Sequence, residues 1–137
     1  MNSSSKSAVG SLKHTDVEVT SEDQDKINAF ARLNQKMEEI VVSIKFKQKT
    51  VQDLSYACDE ILLQDDDTHA VPIMMGEAFL SFNQQDAQDE LEKLKDSIDK
   101  EIITLNGQAE KIKAQMAKLK VDLYAKFGSS INLEAAD

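Results

Sequence analysis

The chain is poor in the residues that build compact, disulfide-bonded or aromatic-rich domains. Its 137 residues include no tryptophan, one proline, four glycines and one cysteine, and aromatic residues make up 5%. So few turn formers and aromatics argue against a β or α/β domain and favour long helices. The single cysteine, Cys58, cannot form an internal disulfide, which predicts a reducing compartment and a cytoplasmic location.

Long apolar runs and a central positive charge are also missing. No apolar run approaches the ~20 residues of a membrane span, and the serine-rich start lacks the apolar core of a signal peptide. No lysine or arginine lies between Lys49 and Lys93, a stretch that holds eleven acidic residues within a chain of net charge −9. Since phosphate backbones are bound by clustered basic side chains, no nucleic-acid partner is expected. The lack of a long apolar run likewise predicts no membrane partner.

Two segments show the three-to-four-residue apolar spacing of coiled-coil helices. The first is predicted over 21–63, with Thr20 and Asp23 as a capping box, and the second over 84–126, with Asn83 or Ser81 as cap and Gly128 as stop. Lys47 interrupts the first apolar seam, and its long stem can cover the seam while its charge reaches water. The predicted fold class is therefore mainly α, an antiparallel two-helix coiled-coil hairpin.

Between the helices, residues 70–82 break the helical pattern with two short apolar runs on either side of Gly76. They predict a β-hairpin that is apolar on both faces. A lone two-stranded hairpin is marginal in water, so other chains are expected to cover it. The predicted assembly residues are Val71, Ile73, Met74, Met75, Phe79, Leu80 and Phe82. The alternatives are a connector folded back on the helices, or a coiled-coil tether that docks through its hairpin.

The order helix, hairpin, helix, together with several short motifs, resembles the β-type subunits of prefoldin. The motifs are VTSEDQ at 19–24, KIN at 26–28, ACDEI at 57–61, GEAF at 76–79, LYAKFG at 123–128 and INLE at 131–134. The resemblance covers about residues 17 to 135. The helical repeats alone are unspecific, whereas the closing motif and the hairpin context together are specific.

The resemblance implies a heterohexamer with two α-type and three further β-type subunits, joined through their hairpins. Such a complex captures non-native actin and tubulin at its coiled-coil tips and passes them to the cytosolic chaperonin without ATP. The resemblance is also compatible with a second location in the nucleus, and it implies no cofactor. The implied client-binding tip comprises Ile27, Phe30, Met116, Leu123, Tyr124, Phe127, Ile131 and Leu133. For Phe30 and Leu123, simple packing at the end of the coiled coil is an equal alternative.

At this tip, four apolar residues have little of their own chain to pack against and are expected to be exposed: Tyr124, Phe127, Ile131 and Leu133. Terminal packing is least expected for Ile131 and Leu133, which lie beyond Gly128. Residues 1–16 are expected to be a disordered tail, 17–128 the coiled-coil domain and 129–137 a flexible tail.

No residue pattern indicates catalysis or metal binding. Residues 65–67 are consecutive aspartates beside His69, whereas a calcium-binding EF-hand loop alternates its acids. Cys58 lies in the apolar seam and His14 in the predicted tail, and no phosphate loop or nucleophile motif is present. The chain is predicted not to be an enzyme.

Overall fold

The computed structural model describes residues 11–12, 18–64 and 71–133, with only the backbone described at residues 11, 12 and 81. In chain order the elements are β1 (Ser11–Leu12), α1 (Ser21–Leu62), β2 (Val71–Met75), β3 (Ala78–Phe82), α2 (Gln84–Phe127), a 3-10 turn (Gly128–Ser130) and β4 (Ile131–Asn132). Two long helices separated by a short antiparallel hairpin confirm the predicted fold class.

The helix ends are set by local side chains, as the sequence predicts. At the start of α1, the Thr20 amide donates to Asp23 Oδ2 (3.0 Å) and the Asp23 amide donates to Thr20 Oγ1 (3.1 Å). This reciprocal pair satisfies backbone donors that a helix start leaves free. At the start of α2, the Asp86 amide donates to Asn83 Oδ1 (2.8 Å), so Asn83 is the cap. Gly128 follows α2 with a φ of +56°, in the left-handed region that favours glycine at a helix end.

The described residues form two compact units, and the first comprises residues 18–42 and 107–133 with β1. Within it, the start of α1 packs antiparallel to the end of α2, as Lys26 Nζ lies 3.6 Å from Asp122 Oδ2. β1 pairs antiparallel with β4, Leu12 opposite Ile131. The buried core of this unit, named here the end cluster, consists of Ile27, Phe30, Leu123, Phe127, Ile131 and Leu133.

The second unit comprises residues 43–64 and 71–106. Its buried core, the base cluster, consists of Ile61, Val71, Ala87 and Leu91. Lys47 is partly buried and its Nζ lies 2.9 Å from Glu101 Oε1, so a cross-helix ion pair accommodates the charge in the seam. Leu94 continues the apolar spacing of α2 but is 46% exposed. The buried face there runs through Ala87, Leu91 and Ile98.

The hairpin pairs β2 and β3 across a turn at Gly76, whose φ is +65°. Val71 lies opposite Phe82, Ile73 opposite Leu80, and Met74 opposite Phe79. Because opposed residues share a face and neighbours alternate, Val71, Ile73 and Met75 point to one face and Met74 to the other.

Several predictions fall wholly or partly outside the described residues. These are the segments 1–10, 13–17 and 134–137, with His14, and the segment 65–70, with its three aspartates and His69. Within the described ranges, no group of three or more histidine, cysteine or acidic side chains is placed to hold a metal ion. Likewise, neither helix has a stretch apolar enough to cross a membrane within the part of the chain that the structure describes.

Candidate functional site

The hairpin is anchored to its own helices at one end only. Val71 is buried in the base cluster, and Ile73 and Phe82 pack against that cluster. All three lie on the same face of the hairpin, at the ends of the strands next to the helices. This contact fixes where the hairpin projects from the second unit.

The rest of the hairpin is apolar and uncovered. Phe79 is 65% exposed and Met74, directly opposite it, is 58% exposed, while Leu80 and Met75 are also exposed. Exposed apolar residues at this density on a short sheet are typical of a surface that another chain covers. We name Met74, Met75, Phe79 and Leu80 the open hairpin surface. The seven predicted assembly residues thus all lie on the hairpin. Three of them, Val71, Ile73 and Phe82, also pack against the chain's own base cluster.

Two glutamines that the sequence analysis did not single out hold the end of α1. Gln84 Nε2 donates to the carbonyl oxygens of Ile61 (2.6 Å) and Gln64 (3.2 Å), and Gln88 Nε2 donates to the carbonyl of Cys58 (3.0 Å). The amides of Leu63 and Gln64 already donate to the last carbonyls of α1, including that of Ile61. The two glutamines therefore add bonds that tie the end of α1 to α2. In the sequence, only their four-residue spacing indicates that they share one side of α2. Because glutamine is common at exposed helical positions, this spacing alone does not predict their bonds to α1.

The predicted tip residues come together in the first unit, but they are not exposed there. Phe30 and Leu133 are 0% exposed and Ile131 is 3% exposed. The expectation that Tyr124, Phe127, Ile131 and Leu133 lack packing partners is therefore wrong. The 3-10 turn after Gly128 directs the chain back over the helix ends, where both side chains join the end cluster. The remaining two predicted residues, Met116 and Tyr124, are partly buried and pack against the same cluster.

One partly buried ion pair joins the two helix ends in the first unit. Lys126 Nζ donates to Asp23 Oδ2, and the Asp23 side chain is 11% exposed. This hydrogen bond, followed by those from Thr20, lowers the pKa of Asp23 from 3.8 to about 2. The Lys126 ammonium also lies 5.6 Å from the centre of the Phe127 ring, within the range of a cation–π contact. The capping carboxylate of α1 thus also anchors the end of α2.

The cysteine is unsuited to nucleophilic chemistry. Cys58 packs against the base cluster, and its burial, with a smaller effect of Glu92, raises the pKa of the thiol. A raised pKa lowers the fraction of reactive thiolate at neutral pH. The structure agrees with a packing role for this residue.

Comparison with known proteins identifies the class to which this fold belongs. A family profile described as prefoldin subunit matches residues 24–130. Prefoldin subunit 4 of Homo sapiens is 48% identical over 120 residues, covering 88% of this chain and 90% of the human protein. Prefoldin subunit 4 of Saccharomyces cerevisiae is 34% identical over 122 residues, covering 89% of this chain and 94% of the yeast protein.

Among solved structures, the prefoldin beta subunit from Thermococcus strain KS-1 superposes with a TM-score of 0.69. It shares 17% sequence identity, and the alignment covers 81% of this chain and 96% of that one. The fold is therefore that of a prefoldin β subunit.

The chain belongs to the prefoldin subunit family. The human and yeast relatives, which it matches over most of their length, are both prefoldin subunit 4. As a family member it is a chaperone subunit and not an enzyme, and it assembles with other prefoldin subunits.

Proposed function

We propose that the chain takes the position of subunit 4 in a heterohexameric prefoldin, beside two α-type and three further β-type subunits. The observation that carries this proposal is the open hairpin surface, which nothing in the described part of the chain covers. The anchored end of the hairpin holds this surface in a fixed place on the second unit. Neighbouring subunits would pair a strand with the hairpin edge and cover the open hairpin surface with apolar side chains of their own.

The complex captures non-native actin and tubulin and delivers them to the cytosolic chaperonin without nucleotide. It acts in the cytoplasm, with a nuclear pool as a further expectation. The predicted binding residues meet in one apolar cluster at the joined ends of α1 and α2, which supports a single client site on this chain. Its assembly with other subunits would place several such sites together.

Photo-crosslinking within the reconstituted complex tests client capture by this chain. A diazirine analogue replaces Met116, which borders the end cluster, and in a matched control it replaces Ile103, which is exposed in the second unit. Actin diluted from denaturant is expected to crosslink at position 116 and not at 103. Equal crosslinking at both positions, or none at either, would contradict the proposed site.

A second candidate function is a structural tether that docks through its hairpin. The burial of Ile131 and Leu133 favours it, since a tether has no need of an apolar binding surface at its free end. The same complex then assembles but yields no client crosslink at position 116.

A further inference from the structure

The segment Gly128–Leu133, named here the flap, folds back over the end cluster. Gly128 reverses the chain with a φ of +56°, a conformation that side chains with a Cβ rarely adopt. The flap then places Ile131 and Leu133 among Ile27, Phe30 and Leu123. The apolar residues at the ends of α1 and α2 are thus covered by the chain's own C-terminal segment.

Within the described residues, a short ladder holds the flap. β4 is two residues long and pairs with the two residues of β1, Ser11 opposite Asn132, and the Ile131 amide donates to the carbonyl of Gly128. The Leu133 amide donates to Tyr124 Oη at 3.1 Å. A two-residue ladder contains far fewer hydrogen bonds than either long helix, so the segment can open while the helices stay folded. Opening also exposes the buried side chains of Ile131 and Leu133, so the closed form predominates without a client.

We propose that the flap occupies the client-binding groove as an internal substitute for a client, and that captured chains displace it. This inference rests on the proposed function, because it names the ligand of that same site. The ligand class follows from the flap itself: an extended peptide segment with apolar side chains two residues apart and a polar residue between them. Asn132 is exposed between the buried Ile131 and Leu133, which is the alternation of a strand with one face down.

Opening the flap leaves a groove lined by Ile27, Phe30, Leu123 and Phe127. A client and the flap compete for this groove, so the apparent affinity for the client falls with the fraction of open molecules. The site is therefore covered when no client is present, which limits association between free complexes. Displacement of the flap would also make the predicted binding residues accessible although they are buried in the closed form.

A reversible disulfide across β1 and β4 tests the displacement. Opposed residues on antiparallel strands have Cα atoms about 4.5–5.5 Å apart, within the roughly 4.4–6.8 Å that a disulfide spans. The chain carries Ser11→Cys and Asn132→Cys in a Cys58→Ala background, with the diazirine at position 116. It is assembled into the full complex and compared in oxidised and reduced form. The matched control lacks the Asn132→Cys change.

With the flap locked, crosslinking of diluted actin at position 116 is expected to fall about tenfold or more and to recover on reduction. The control should respond to neither treatment. A complex lacking residues 129–137 should crosslink more actin than the unaltered complex, and adding the peptide GSSINLEAAD should reverse that gain.

Three outcomes separate the two proposals. A fall on locking that reduction restores supports the displacement. Equal crosslinking in the locked and reduced forms overturns it and leaves client capture at this site intact. If the unaltered complex gives no crosslink at position 116, the proposed client site fails and the displacement fails with it.

Discussion

The ion pair between Asp23 and Lys126 should stabilise the first unit in a pH-dependent way. Lowering the Asp23 pKa from 3.8 to about 2 corresponds to roughly 2 kcal/mol, at about 1.4 kcal/mol per unit. The Lys126 side chain is 37% exposed, so solvent screening should reduce the effect to about 1 kcal/mol. We expect Asp23→Asn to destabilise the joined helix ends by that amount at pH 7.

The sign of the pH dependence follows from the direction of the shift. Because the folded-state pKa lies below the unfolded value, the contribution is complete above about pH 5 and is lost as pH falls toward 2. The difference between the unaltered protein and Asp23→Asn should therefore shrink through this range.

Native-state hydrogen exchange of the amides at residues 24–30 measures this local stability. About 1 kcal/mol corresponds to an exchange rate about fivefold faster in Asp23→Asn at pH 7. Asp122→Asn is the matched control, because the Lys26–Asp122 pair is longer (3.6 Å) and more exposed. It should change the rates less than about twofold. Equal effects of the two substitutions, or no weakening of the Asp23→Asn effect at low pH, would show that the Asp23–Lys126 pair does not stabilise the joined helix ends.

Three further substitutions or treatments test other parts of the structure. Asn34 is buried in the first unit and its Nδ2 lies 3.3 Å from Glu38 Oε1, so Asn34→Leu should raise the urea midpoint because it replaces a buried polar side chain with an apolar one; a lower midpoint would contradict this. Gln84→Ala should cost about 1 kcal/mol in urea unfolding because it removes the hydrogen bond that ties the Ile61 carbonyl to α2, whereas Gln85→Ala should cost little; equal costs would argue against the bridging role. Cys58 should be alkylated at pH 7.5 more slowly than an unfolded control peptide, and an equal rate would show that its thiol is accessible and unperturbed.

The helices, the hairpin and the caps were predictable because each depends on local sequence. Apolar spacing defines the helices, Thr20, Asp23 and Asn83 mark their starts, and Gly128 marks the end of α2. Both helices start at the predicted residue, and each ends within one residue of the predicted C-terminal end. Such signals act within a few residues along the chain, so they can be recognised in the sequence without knowledge of the tertiary contacts.

The features that were not predicted depend on contacts between residues far apart in sequence. The flap returns Leu133 to Phe30, about a hundred positions earlier in the chain, and nothing in the INLE motif specifies that contact. The bonds from Gln84 and Gln88 to the end of α1 also join the two helices. The client-binding role of the end cluster and the domain boundaries stay predictions.

Native mass spectrometry of the tagged chain, purified from its own cells, tests whether the chain assembles through the open hairpin surface. We expect a particle of six small subunits, of which this chain is one. We also expect Met74→Ser with Phe79→Ser, on the open hairpin surface, to abolish the particle while helix content is retained. A homodimer, a complex with one large scaffold, or an assembly unaffected by this double substitution would show that the hairpin does not join the chain to other prefoldin subunits.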